Sequence, residues 1–264
     1  MNVALVIARN TISEALRRKV LNAFLMVGVA VIVLTFAFGQ FQARQDLTIV
    51  KGMGLGIISL AGILITIILS INLIPNEIER RTIYTILSKP VRRYEFLIGK
   101  YLGALGTLLL NILAMSVFFV IAFAIKQALA GPENPINPLS LFKATLMIYM
   151  QLLLLSSLAI FLSVFTTPLV NFFLSFSLFI VGNLSSFTQD LAKNGANPIV
   201  KGFFLAVHYI VPNFGNFQYV NPLVNPEVQV KSEFLFLSQN VIYALVYAAV
   251  LMILAILAFD RREV

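Results

Sequence analysis

Six stretches of roughly 20 apolar residues, none containing Asp, Glu, Lys, Arg or His, decide what this 264-residue chain can become. They are Val20 to Gly39, Met53 to Ile74, Tyr101 to Ile125, Ala144 to Val164, Leu169 to Phe187 and Val241 to Phe259. A helix advances about 1.5 Å per residue, so about 20 residues cross about 30 Å of hydrocarbon. Each stretch has its charges at its ends, and 59% of the chain is hydrophobic against 11% charged. That balance excludes a soluble domain of ordinary composition and predicts an all-α integral membrane fold with six transmembrane helices in a single domain, 1–264.

Residues 165–168 alone separate the fourth and fifth stretches. Pro168 therefore marks a membrane hairpin. Arg9, Arg17, Arg18 and Lys19 precede the first stretch like the basic start of a signal peptide. Its 20-residue core and the following Gln40-Phe41-Gln42 argue against cleavage.

An even number of crossings puts both termini on one side. Residues 1–19, 75–100, 165–168 and 260–264 hold twelve Lys and Arg, whereas 40–52, 126–143 and 188–240 hold seven in a longer total length. The positive-inside rule makes the first set cytoplasmic, giving a multi-pass protein of the inner (plasma) membrane with both termini inside. The basic excess is thus a topological signal. Nucleic-acid binding, which needs a basic patch on a folded soluble face, is not expected.

Several chemistries are excluded by what the residues cannot build. The chain has no Cys, which rules out disulfides, thiolate metal sites and cysteine nucleophiles. No metal-ligand spacing occurs, and the single histidine, His208, reads as a packing or interfacial residue. Gly99-Lys100 is followed by Tyr101, with Tyr94 where a phosphate-binding loop has its first glycine, so no nucleotide site is expected in this chain. The spans carry no titratable group of the kind ion-coupled pumps keep in the membrane, which disfavours an autonomous proton-driven transporter.

Residues 75–100 hold six of the twelve inner cations. Ile78, Thr82 and Ile86 recur at four-residue steps, with Ile83 and Leu87 adjoining, while Glu79 and Arg80 face elsewhere. The spacing predicts a short amphipathic helix along the membrane surface, ended by Pro90, with the chain restarting through Arg92, Arg93 and Glu95 into the third span. Two readings are open at this point: a loop anchored to anionic lipid, or a docking element for a partner.

The order Glu79-x-x-Thr82, Leu87, Lys89-Pro90, Arg92-Arg93, Glu95 and Gly99-Lys100 resembles the signature of type 2 ABC transporter permeases. In that family a Glu-x-Gly-Thr run, then Leu, Pro, a small residue with Arg, and Gly-Lys join spans two and three. This sequence departs from the pattern at Arg81, where glycine is frequent, and at Arg92, where serine is frequent. Permeases of copper-enzyme maturation and gliding motility are similar in size and layout. The motif is confined to residues 77–100; the rest matches in span count and spacing.

The resemblance implies that this segment is a coupling helix docking into a cytoplasmic ABC ATPase subunit, present in two copies, with a second permease subunit completing a homodimer or heterodimer. ATP and Mg would be held by the partner, leaving this chain non-catalytic and without a cofactor. The implied contact residues are Glu77, Glu79, Arg80, Arg81, Thr82, Ile83, Tyr84, Leu87, Lys89, Pro90, Arg92, Arg93 and Glu95. Their charges suit charge-assisted hydrogen bonds that fix register on a partner.

Residues 2–19 read as an interfacial helix with Val3, Leu5, Ile7, Ile12, Ala15 and Leu16 toward one side and Arg9, Glu14, Arg17 and Arg18 outside. Either the family's elbow helix or a plain snorkelling anchor has this pattern. Pro132, Pro135 and Pro138 predict that residues 126–143 form a turn-rich outer loop with little helix. In the loop 188–240, Ile199 to Val211 is apolar but too short to span, which predicts an external interfacial or re-entrant helix before span six. Pro212 to Phe217, Asn221-Pro222 and Asn225-Pro226 then return the chain by turns.

Inside the spans, Thr66, Ser70, Asn72, Asn111, Gln151 and Asn171 are the candidates for a translocation path, against the plainer role of joining helices. Gly99-x-x-x-Gly103 is a spacing suited to close helix contact. Phe makes up 23 residues, which fits a greasy lateral surface and, with the charge-free interior, a lipid-like or amphipathic cargo. Together these features point to the permease subunit of an ATP-driven exporter, moving substrate or signalling to an outer-surface protein. The alternatives are a membrane scaffold that recruits a cytoplasmic protein and an ion-independent facilitator.

Overall fold

The computed structural model describes residues 3–38, 47–73, 75, 92–130, 138–185, 189–190, 198–217 and 232–261. Among them there is no strand. The helices are α1 (Val3–Leu16), α2 (Lys19–Phe38), α3 (Leu47–Ile71), α4 (Arg93–Ala130), α5 (Pro138–Ser163), α6 (Pro168–Asn183), α7 (Pro198–Ile210) and α8 (Glu233–Asp260), with a 3-10 turn at Phe214–Phe217 before α8. Among the described residues, α3, α4, α5 and α8 are long and apolar enough to cross a membrane, and α6 is a shorter apolar helix of 16 residues. The 20 residues of α2 lie on the first apolar stretch of the sequence.

The helices overrun the apolar stretches that announce them. α4 has 38 residues, beginning eight before Tyr101, and α8 begins eight before Val241. The expected outer loop 126–143 is corrected: 126–130 continue α4 and 138–143 open α5, while 131–137 lie outside the described residues. A backbone hydrogen-bond ladder does not stop where side chains turn polar, and a proline opens a helix without loss because the first N–H has no intrahelical acceptor. Pro138, Pro168 and Pro198 each open one. Lys51 and Lys143, which bounded apolar stretches in the sequence, sit within α3 and α5.

The hairpin between α5 and α6 has the form expected. Thr166 donates from both its backbone N and its Oγ1 to the Leu162 carbonyl, at 3.0 and 2.8 Å. Thr167 is extended, as the residue before a proline must be.

α5 is the central helix, packed against α3, α4, α6 and α8. Tyr101 donates to the Leu153 carbonyl at 3.2 Å and Tyr149 to the Leu105 carbonyl at 3.3 Å, a reciprocal pair that pins α4 and α5 antiparallel. Ser116 pairs with Thr145 at 3.1 Å further along the same seam. Such bonds contribute about 0.6 kcal/mol each within a membrane bundle, so close apolar packing supplies most of the cohesion. A large apolar cluster holds Ile58, Phe119, Met147, Leu155 and Phe214. A second gathers Ala15, Leu69, Leu73, Phe96, Leu97, Ile160, Val164 and Phe259, which brings α1, the ends of α3, α5 and α8 and the start of α4 to one end of the bundle. At the starts of α5 and α8, Lys143 and Glu233 form an ion pair at 2.6 Å.

α1 buries a different stripe from the one its large apolar residues suggested. Ala4, Ala8, Thr11 and Ala15 are buried, whereas Leu5 is 59% and Leu16 41% exposed. The cause is the partner: α1 lies on the Gly99, Gly103 and Gly106 face of α4, where only small residues admit close backbone approach.

After α7 the chain turns into the bundle. Phe214 and Phe217 are buried, Tyr247 donates to the Ile210 carbonyl at 2.6 Å, and Asn213 donates its backbone N–H to Tyr243 Oη at 2.8 Å. A Cβ on Gly182 would strike the Pro212 carbonyl oxygen, so that residue of α6 must be glycine for the segment to enter. The turn expected at Pro212 to Phe217 is therefore also a plug.

Candidate coupling site

Of the residues expected to meet an ATPase, Glu77, Glu79, Arg80, Arg81, Thr82, Ile83, Tyr84, Leu87, Lys89 and Pro90 lie outside the described residues. The described part begins at Arg92. Its backbone N–H donates to Glu95 Oε2 at 3.0 Å, the return half of a capping box that satisfies a donor the helix cannot and places an acid at the positive end of α4. Its guanidinium points outward, donating to Tyr94 Oη at 3.3 Å with its carbon 6.0 Å from the ring centre. The hydrogen bond to Tyr94, followed by the charges of Tyr94 and Glu95, raises the Arg92 pKa.

Arg93 turns the other way. Its Nη1 donates to the carbonyls of Phe259 at 3.1 Å and Asp260 at 3.3 Å, the last turn of α8, where carbonyls lack intrahelical partners. Its guanidinium carbon lies 6.0 Å from the Phe259 ring centre, Phe96 stacks on that ring at 6.4 Å, and Lys100 Nζ lies 5.7 Å from the Phe96 ring. Arg92 and Arg93, adjacent in sequence, thus face solvent and the bundle respectively.

The six interior polar candidates are held by hydrogen bonds inside the bundle. Thr66 donates to the Gly62 carbonyl at 2.7 Å and Asn111 to Thr107 at 2.8 Å, both within their own helices, and Asn72, one residue past α3, donates back to Ile68 at 2.8 Å. Ser70 pairs with Ser156 of α5 at 3.0 Å, and Asn171 donates to the Ala159 carbonyl of α5 at 2.9 Å. Gln151 donates to the Phe214 carbonyl at 3.1 Å, tying α5 to the plug. Among the described residues no hydrogen bond joins one of the six to another.

The layout of these helices accompanies a match along nearly the whole chain: a family model described as ABC-2 family transporter protein covers residues 3–264. The chain belongs to the ABC-2 transporter family. It is a membrane permease component of an ABC transporter, and ABC-2 permeases in general associate with an ABC ATPase. No curated protein matches the chain.

Two features of this ABC-2 permease escaped the sequence. The inward turn of Arg93 onto α8 joins residues 166 positions apart, and a run of two arginines carries no signal that they diverge. The plug was legible only as a turn, through Pro212-Asn213 and Gly215, where the Gly215 N–H donates to Asn213 Oδ1 at 3.0 Å. Nothing local states that Phe214 would be its buried tip.

Proposed function

We propose that this ABC-2 permease is the six-span subunit of an ATP-driven exporter, two copies of which work with two separate ATPase subunits. α2 and α6 complete the six crossings, both termini are cytoplasmic, and segment 77–95 is the coupling helix seated on the ATPase. ATP closes the partner dimer, the coupling segments are drawn together, and the spans reopen outward. A lipid-like or amphipathic cargo fits the charge-free spans. Passage along Thr66, Ser70, Asn72, Asn111, Gln151 and Asn171 would exchange the bonds they now make.

One observation carries the reading: α4 presents Arg92 and Tyr94 exposed at its tip, while Phe96, Leu97, Gly99 and Lys100 directly behind are buried against neighbouring helices. A polar handle on a rigid rod can transmit a partner's movement; a lipid anchor needs no such rigidity. The test is co-purification of the intact complex followed by Glu79→Lys and Arg92→Glu. The reading expects a P-loop ATPase to co-purify, the purified chain alone to hydrolyse no ATP, and both variants to insert normally while losing coupled ATPase activity. Normal partner capture and activity in both variants would overturn it, and absence of any ATPase would favour a scaffold.

A further inference from the structure

The movement of spans two and three does not account for the way the start of α4 is fastened. Arg93 caps the final carbonyls of α8, Phe96 stacks on Phe259, and Phe96 and Phe259 share one buried cluster with Leu97 and Ala255. Both bonds come from one nitrogen, Nη1, which meets the negative end of the α8 dipole, and the stacked rings beneath it add to the hold against separation. The contact lies one residue beyond Arg92, whose side chain faces outward, so force applied at the exposed tip reaches α8 before it travels along α4.

We propose that Arg93 is a positioning residue that latches the exit of the coupling segment to the end of the last helix, so that α4 and α8 move as one body when the ATPase moves. This rests on the coupling reading above. α8 is also packed along α5, so the latch ties the start of α4 to the end of a helix that the central helix already holds. Tyr101 and Tyr149 fasten α4 to α5 further along through bonds to the Leu153 and Leu105 carbonyls.

Because the chain has no cysteine, spin labels can be placed at chosen sites only. Labels at Leu102→Cys and Leu257→Cys, both on exposed faces of α4 and α8, report the latch; labels at Leu110→Cys and Leu146→Cys report α4 against α5 and serve as a folding control. The labelled chain is diluted with unlabelled chain and assembled with its ATPase in nanodiscs, and distances are read by pulsed electron resonance without nucleotide and with ATP. The expected result is one narrow 102–257 distance, unchanged by ATP. Arg93→Gln should lose it, giving a broad and nucleotide-dependent distribution with the 110–146 pair intact in the absence of nucleotide, and Arg93→Lys should restore part of the narrow component. A parent 102–257 distance that shifts with ATP, or an Arg93→Gln distribution identical to the parent, overturns the proposal. If Arg93→Gln disturbs the control pair, the same comparison is read from Arg93→Lys. If no ATPase binds the parent chain, the coupling reading fails, and the latch is judged in the chain alone, where Arg93→Gln should still lose the narrow distance.

Discussion

Substituting Gly99 and Gly103 together by alanine should loosen the N-terminal helix from the bundle, although glycine to alanine stabilises most helices. A Cβ at Gly103 would lie 2.5 Å from Thr11 Cβ and 2.9 Å from the Ala8 carbonyl oxygen; at Gly99 it would lie 2.8 Å from both the Ala4 carbonyl oxygen and Ile7 Cβ. Two of these obstacles are backbone atoms, so relief requires α1 to move bodily. Glycine to alanine contributes about 1 kcal/mol of helix propensity, whereas overpacking costs about 1 to 3 kcal/mol, leaving each single change about 0 to 2 kcal/mol unfavourable. The two sites press on one helix, so the double variant should cost less than the sum: once α1 has moved away from one, the other is partly relieved. The assay is maleimide labelling of Ala8→Cys, which is buried in the parent and should become reactive when Gly99→Ala and Gly103→Ala are combined. Gly56→Ala, whose Cβ meets nothing within 4 Å, is the control and should leave labelling unchanged and thermal stability equal or higher. Continued protection of position 8 in the double variant would refute the close-contact reasoning.

Two further outcomes follow from hydrogen bonds between segments. Asn171 donates to Ala159 across the hairpin and accepts from Ser175 Oγ at 2.8 Å, so Asn171→Ala should lower stability by about 1 to 2 kcal/mol, read as a lower melting temperature in detergent. Replacing Tyr243 and Tyr247 with Phe removes the acceptor of Asn213 and the donor to Ile210, and should raise hydrogen exchange across residues 207–217 while leaving α5 as protected as before.

The elements legible in the sequence are those whose signal is one-dimensional. Charge-free runs located α2, α3, α4, α5 and α8, Thr167-Pro168 located the hairpin, and the restart after Pro90 placed Arg92 and Arg93 at the head of α4. What escaped depends on a partner surface. The buried stripe of α1 is set by the glycines of α4, so Ala4, Ala8 and Thr11 displaced the larger Leu5 and Leu16 that periodicity favours. Helix ends were misjudged because Lys51, Lys143 and the polar run Ser238-Gln239-Asn240 interrupt hydropathy without interrupting the backbone ladder. The latch and the plug join segments distant in sequence, and pairwise contact of that kind has no periodic trace in one chain.

The length of α4 has a mechanical consequence. Its 38 residues extend about 57 Å, nearly twice the hydrocarbon thickness. Held near Gly103, it has a short arm of about 15 Å toward Arg93 and a long arm of about 40 Å toward Ala130. Because Ser116 and Thr145 splice that long arm to α5, a displacement at the Arg93 end would be carried into the central helix as in a braced beam, instead of swinging the far end freely.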